Sequence, residues 1–136
     1  MPLSDIDNML SLIALAILAD DHVHQVEIDV FVTVAQHLPK VSQSAKPMNE
    51  VDLRAWYERN KVRLFKALNS PDFNIWLSDS IDKVSDSEDQ RAILLAMEAI
   101  SKSDENFHIY EKSLISFLSD RWNIQIPLGK IASTII

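Results

Sequence analysis

Apolar residues recur at spacings of three and four along almost the whole of this 136-residue chain, and no run alternates as a half-buried strand does. That periodicity restricts the chain to helices that bury one stripe each. The single glycine, Gly129, fits the same picture, because tight β-hairpin turns call on glycine for positive φ. The spacing predicts helices over about 5–19, 25–38, 50–68, 71–83, 87–103 and 109–122, with a short last one over 128–136. In the first, Ile6, Met9, Leu10, Ile13, Ala14, Ala16 and Ile17 cover most of the circumference, so it belongs at the centre of a bundle. The second carries one stripe, Val26, Val30, Phe31, Val34 and Leu38, and Pro39 ends it. Lys40 to Met48 reads as an exposed loop. The third uses Leu53, Trp56, Tyr57, Leu64, Phe65 and Leu68 as its core face. Ser70-Pro71 is a helix start, and Ser85 with Glu88 fits a capping box for the fifth. Ile93, Leu94, Met97 and Ile100 then face inward, as do Leu114, Ile115, Leu118 and Trp122 in the helix that follows. The expected fold class is all-α, a single-domain helical bundle spanning 1–136.

Composition removes several function classes. The absence of cysteine excludes disulfides, thiolate zinc sites and cysteine nucleophiles. One glycine is too few for a P-loop or a dinucleotide-binding turn. A net charge of −7 argues against nucleic acid as a partner. The charge is uneven: residues 1–39 sum to −6, 40–68 to +4 and 69–136 to −5. The middle third can neutralise the outer two within the fold, or offer a docking site to an anionic partner. The opening Met-Pro-Leu-Ser-Asp has no basic leader. The longest apolar stretch, Met9 to Ala19, is too short for a bilayer, which takes about 20 residues. A cytoplasmic protein with no membrane span is therefore expected.

The sequence also repeats itself. At an offset of 84 residues, Asp20 falls on Asp104, His24 on His108 and Glu27 on Glu111. Downstream, Val30 meets Leu114, Phe31 meets Ile115, Val34 meets Leu118 and Leu38 meets Trp122; upstream, Ile13 meets Met97. Each copy, about 5–38 and 87–122, is an apolar helix, an acidic bend and a second amphipathic helix. Neither hairpin can bury its stripe alone, so a pseudo-two-fold pairing is the natural packing.

Helix, then A-D-G-x-hydrophobic-x-x-x-E, then helix is the signature of the TerB-like (tellurite-resistance TerB) family. This chain resembles that family over most of its length, with Ala19-Asp20 and Glu27 matching in one half and Asp104 and Glu111 in the other. It departs from the pattern where Asp21 and Glu105 replace the loop glycine and Ser103 replaces the alanine. The resemblance implies an all-α fold, a non-enzymatic role, and an association with tellurite resistance and stress response. It also implies ion binding through clustered acids, and protein docking of the kind seen where related domains are fused to J-domain co-chaperones.

Read from the residues themselves, the acidic bends have two explanations. Glu27 and Glu111 stand three residues after His24 and His108, the capping-box position, where helix amides favour a carboxylate. Asp20, Asp21, Asp104 and Glu105 instead follow the C-terminal turn of a helix, where the dipole disfavours anions. A cation would relieve that cost. Asp20, His22, His24 and Glu27 then form one mixed oxygen and nitrogen site, and Asp104, His108 and Glu111 the other. Carboxylates alone suit Ca²⁺, Mg²⁺ or Mn²⁺, and imidazole tilts toward Zn²⁺. The expected function is a non-catalytic module that binds a divalent cation or docks a protein through these bends. The alternatives are an interaction module with no ion, or a carboxylate-based hydrolase. The apolar end at Ile131, Ile135 and Ile136 allows either core packing or a homodimer.

Overall fold

The structure is a computed structural model that describes residues 5–18, 25–103 and 109–124, without the side chains of 109–111. Within those residues it is an all-α bundle with no strand. Its helices are α1 (Asp5–Leu18), α2 (Gln25–Gln36), α3 (Pro39–Ser42), α4 (Glu50–Leu68), α5 (Phe73–Asp82), α6 (Ser87–Lys102) and α7 (Ile109–Trp122). None is long and apolar enough to cross a membrane.

α1 is the hub. Every residue from Asn8 to Leu18 is buried, and the helix packs against α2, α4, α5 and, most extensively, α6. This is the outcome its all-round apolarity predicts. Its two polar members are each bonded. The Asn8 side-chain amide donates to the Ser80 carbonyl at 2.9 Å, tying α1 to α5, and Ser11 Oγ accepts from Arg63 at 3.1 Å. Just before the run, Asp7 accepts from the Trp56 indole N–H at 2.8 Å, so α4 is stitched along α1.

The core predicted for α6 is buried in full: Ile93, Leu94, Met97 and Ile100. α7 contributes Ile115 and Leu118, with Leu114 and Trp122 partly covered. The Trp122 indole donates to the Ile81 carbonyl at 3.2 Å, which pins the end of α7 to α5.

Five local expectations need correction. α2 stops at Gln36, and Pro39 opens α3 instead of merely ending the previous helix. Proline has no N–H to lose at a first helical position, so the two roles are compatible. The segment expected as an exposed loop therefore contains a helical turn, which buries Val41. α5 begins at Phe73, two residues late, because Ser70 Oγ accepts from the Asp72 amide and holds Pro71-Asp72 in a turn. α6 is capped by Asp86, whose carboxylate accepts from the amides of Glu88 and Asp89, and not by Ser85. An aspartate two residues ahead of Glu88 reaches the open amides better placed than the serine. Phe65, expected in the core, is 50% exposed. The region predicted as a last helix, 128–136, lies outside the described residues.

At matched positions of the repeat, burial agrees for Ile13 with Met97 and for Phe31 with Ile115 but differs for Val34 with Leu118 and for Leu38 with Trp122, so it does not establish the repeat.

Candidate functional site: the groove beside α4

Of the seven residues predicted to ligate an ion, one has a described side chain. Asp20, His22, His24, Asp104 and His108 lie outside the described residues, and Glu111 is placed only as a residue in the first turn of α7. Glu27 is described and is 0% exposed. It stands one turn before Phe31 and two before Ala35, so it extends the buried stripe of α2 into that helix's first turn. That position lets its carboxylate meet the favourable end of the helix dipole. Among the described residues no three His, Asp or Glu side chains are grouped to hold a metal.

Glu27 faces α4. Its charge is one of the influences on Tyr57, whose hydroxyl is pushed up to about 12 by burial first, then by Glu58 and Glu27. Phe31 fills the adjoining space: its ring lies 6.0 Å from Trp56, stacked, and 6.1 Å from Tyr57, tilted. Aromatic contacts of this kind add about 0.5–1.5 kcal/mol beyond their burial. Further along the same seam, Arg54 bridges Asp29 of α2 at 2.9 Å and Glu50 at 3.0 Å. Hydrogen bonds from Gln25 and Arg54 hold the Asp29 carboxyl below its ordinary value. The α2–α4 seam is thus fixed by aromatics inside and an ion pair outside.

Beyond Tyr57 the seam opens. α4 turns Leu53, Trp56, Tyr57 and Leu64 to the core. Phe65 is one residue past Leu64, about 100° further round the helix, and so stands at the edge of the buried face. Val62 lies further out at 57% exposure and Val51 at 73%. Two open hollows flank Phe65. One, of about 370 Å³, lies between α2 and α4 and is lined by Leu18, Ile28, Tyr57, Lys61, Val62 and Phe65 with Glu58 and Lys66. The other, of about 440 Å³, lies between α4, α5 and α7 and includes Leu68, Phe73, Leu77, Leu114 and Phe117. They share Leu18 and Phe65, so together they form one apolar groove with Phe65 as its central ridge. Leu18 ends α1 and Ile28 lies near the start of α2, so one side of the groove is formed where α1 ends and α2 begins.

Charge at this groove runs against that of the whole chain. From Arg59 to Leu68 there are four bases and no acid, in a protein of net charge −7. Arg63 is turned inward to Ser11 and Asn60, and Lys61 pairs with Glu58 at 2.6 Å. Arg59 and Lys66 make no ion pair among the described residues. The sequence pattern had placed Phe65 in the core and therefore concealed the groove. Val62, off the core stripe of a strongly charged helix, was the signal that reveals it.

No family model, no curated protein and no solved structure matches the chain.

Proposed function

We propose that this protein is a non-catalytic, TerB-like docking module of the cytoplasm, serving a stress or tellurite-resistance response. It holds a protein partner at the end of the bundle where α1 leads to α2. One observation carries the reading: a continuous apolar groove around Phe65, with Val62 and Phe65 half in solvent. Contiguous apolar patches bordered by polar groups mark protein or membrane interaction sites and ligand grooves. A photo-crosslinking side chain at position 62 tests it, with the same group at Ile75, exposed but outside the groove, as control. One adduct of defined mass, formed from position 62 only and lost when Phe65→Ala is added, is expected. Equal labelling from both positions would contradict the reading.

The second reading is a divalent cation at the acidic bends, held by Asp20, His24 and Glu27 and by Asp104, His108 and Glu111. The full burial of the Glu27 carboxylate at the start of α2 supports a site whose charge the fold itself must accommodate. Melting curves with Ca²⁺, Mn²⁺, Zn²⁺ and chelator test it, since an ion that binds the native state raises the midpoint by mass action. The double variant Asp20→Asn, Asp104→Asn should lose any such rise. Identical responses from wild type and variant would remove the ion.

A further inference from the structure

We infer that the partner segment is an amphipathic helix with acidic residues along one flank. This rests on the docking reading above and specifies what docks. An open groove with two apolar hollows on either side of an aromatic ridge suits anchors spaced along one helical face, one set for each hollow. The first hollow runs beside α4, and the cations Lys61 and Lys66 stand at its margin. Arg59 adds a third positive charge on the same helix, and Glu58, paired with Lys61, is the one acid that lines the hollow. The opposite wall is Leu18, at the end of α1, and Ile28 of α2, neither of which carries a charge. The positive charge of the hollow therefore lies along α4. A helix lying between the walls gains from acids on the flank toward α4. The asymmetry fixes both the chemistry of the partner and its rotation in the groove.

The test uses the full chain and three fluorescent probes. The first is a 16-residue helical peptide with leucines at positions one, four, five and eight of its face and glutamates on one flank. The second carries lysines in place of the glutamates, and the third is laurate. Anisotropy at low salt should show the glutamate peptide binding about tenfold or more tighter than the lysine peptide, with the gap closing as salt rises. Phe65→Ala should weaken the glutamate peptide by about tenfold, as removal of a central anchor does. Lys61→Glu with Lys66→Glu should bring the two peptides level. Because all three side chains are at the surface, circular dichroism melting of the variants should match wild type.

Equal binding of both peptides, abolished by Phe65→Ala, would overturn the acidic preference and leave the docking reading intact. Binding of laurate alone would overturn it in favour of a lipid. Loss of a dimer in Phe65→Ala, seen by sedimentation, would assign the groove to a second copy of the chain and overturn it too. If no probe binds, the inference fails, and the position-62 crosslink decides whether the docking reading fails with it.

Discussion

α1 and α4 lie side by side yet spend their residues in different ways. α1 has an unbroken buried run from Asn8 to Leu18, while α4, the longer helix, commits only Leu53, Trp56, Tyr57 and Leu64 to the core. α4 has the means to be a well-behaved surface helix. Asn49 and Asp52 close a reciprocal capping box at its start, with bonds of 2.9 and 3.1 Å, and Lys66 sits in its last turn. It nevertheless leaves Val51, Val62 and Phe65 facing water. The difference separates residues that make the fold from residues that are free for something else. α1 can change little without loss of the bundle, and the outer face of α4 can change freely as far as the bundle is concerned.

The largest expected effect tests the first half of that contrast. Leu12→Ala or Ile13→Ala, each fully enclosed in α1, should cost about 2–5 kcal/mol in urea unfolding. A cost below about 1 kcal/mol would show that α1 is not the hub. Tyr57, where α4 meets the core, comes next. Its hydroxyl sits above the ordinary value of 10, at about 12, so the folded state holds its proton more tightly than the unfolded chain does. That contribution is complete below pH 10 and is lost as pH rises from there toward 12. The loss amounts to about 2–3 kcal/mol. Absorbance at 295 nm should show a phenolate step late in the alkaline titration, which Tyr57→Phe removes, leaving only Tyr110 to titrate. Asp86→Ala, which strips the cap of α6, should cost about 1 kcal/mol. Phe65→Ala should stay within about 0.5 kcal/mol of wild type, the usual range for surface changes, and a larger loss would make Phe65 a core residue after all.

The smallest effect concerns the seam between α2 and α4. Asp29 titrates below its ordinary 3.8 because Gln25 and Arg54 bond its carboxylate. Its support is therefore complete above pH 3.8 and declines as pH falls through the lowered folded value. A melting midpoint of wild type that sags below pH 4 more than that of Asp29→Asn would be the sign, and parallel curves would remove the pair from the account. Lys40 behaves in the opposite sense. The Asp89 carboxylate at 3.3 Å, with Asp5 at 3.6 Å, holds its ammonium above the ordinary value, so that link weakens only in strong alkali.

Periodicity made the bundle legible. The extent of α4 and α7, the central place of α1 and the inward set of α6 all followed from spacings of three and four. What periodicity could not resolve was the margin of each stripe. Phe65 sits 100° from Leu64, and whether such a residue is covered depends on where α2 and α5 end, which is a tertiary matter. The cap of α6 was misread for a similar reason. Ser85 and Asp86 are both good caps, and only the backbone path decides which one reaches the amides of Glu88 and Asp89. α3 was missed because four residues give periodicity nothing to act on. For the site, the acidic bends stood out in the sequence and the groove did not. Charges announce themselves one residue at a time, whereas a groove exists only once α1, α2 and α4 are brought together.

The most direct test of the central claim is a backbone amide titration by NMR, following the ¹⁵N-labelled chain as the glutamate-flanked peptide is added. The account predicts that shifts concentrate at Leu18, Ile28 and Tyr57 to Lys66, with the buried middle of α1, around Leu12 and Ile13, unmoved. Shifts that scatter over the surface, or that gather on α3 and the start of α6 while α4 stays silent, would contradict it.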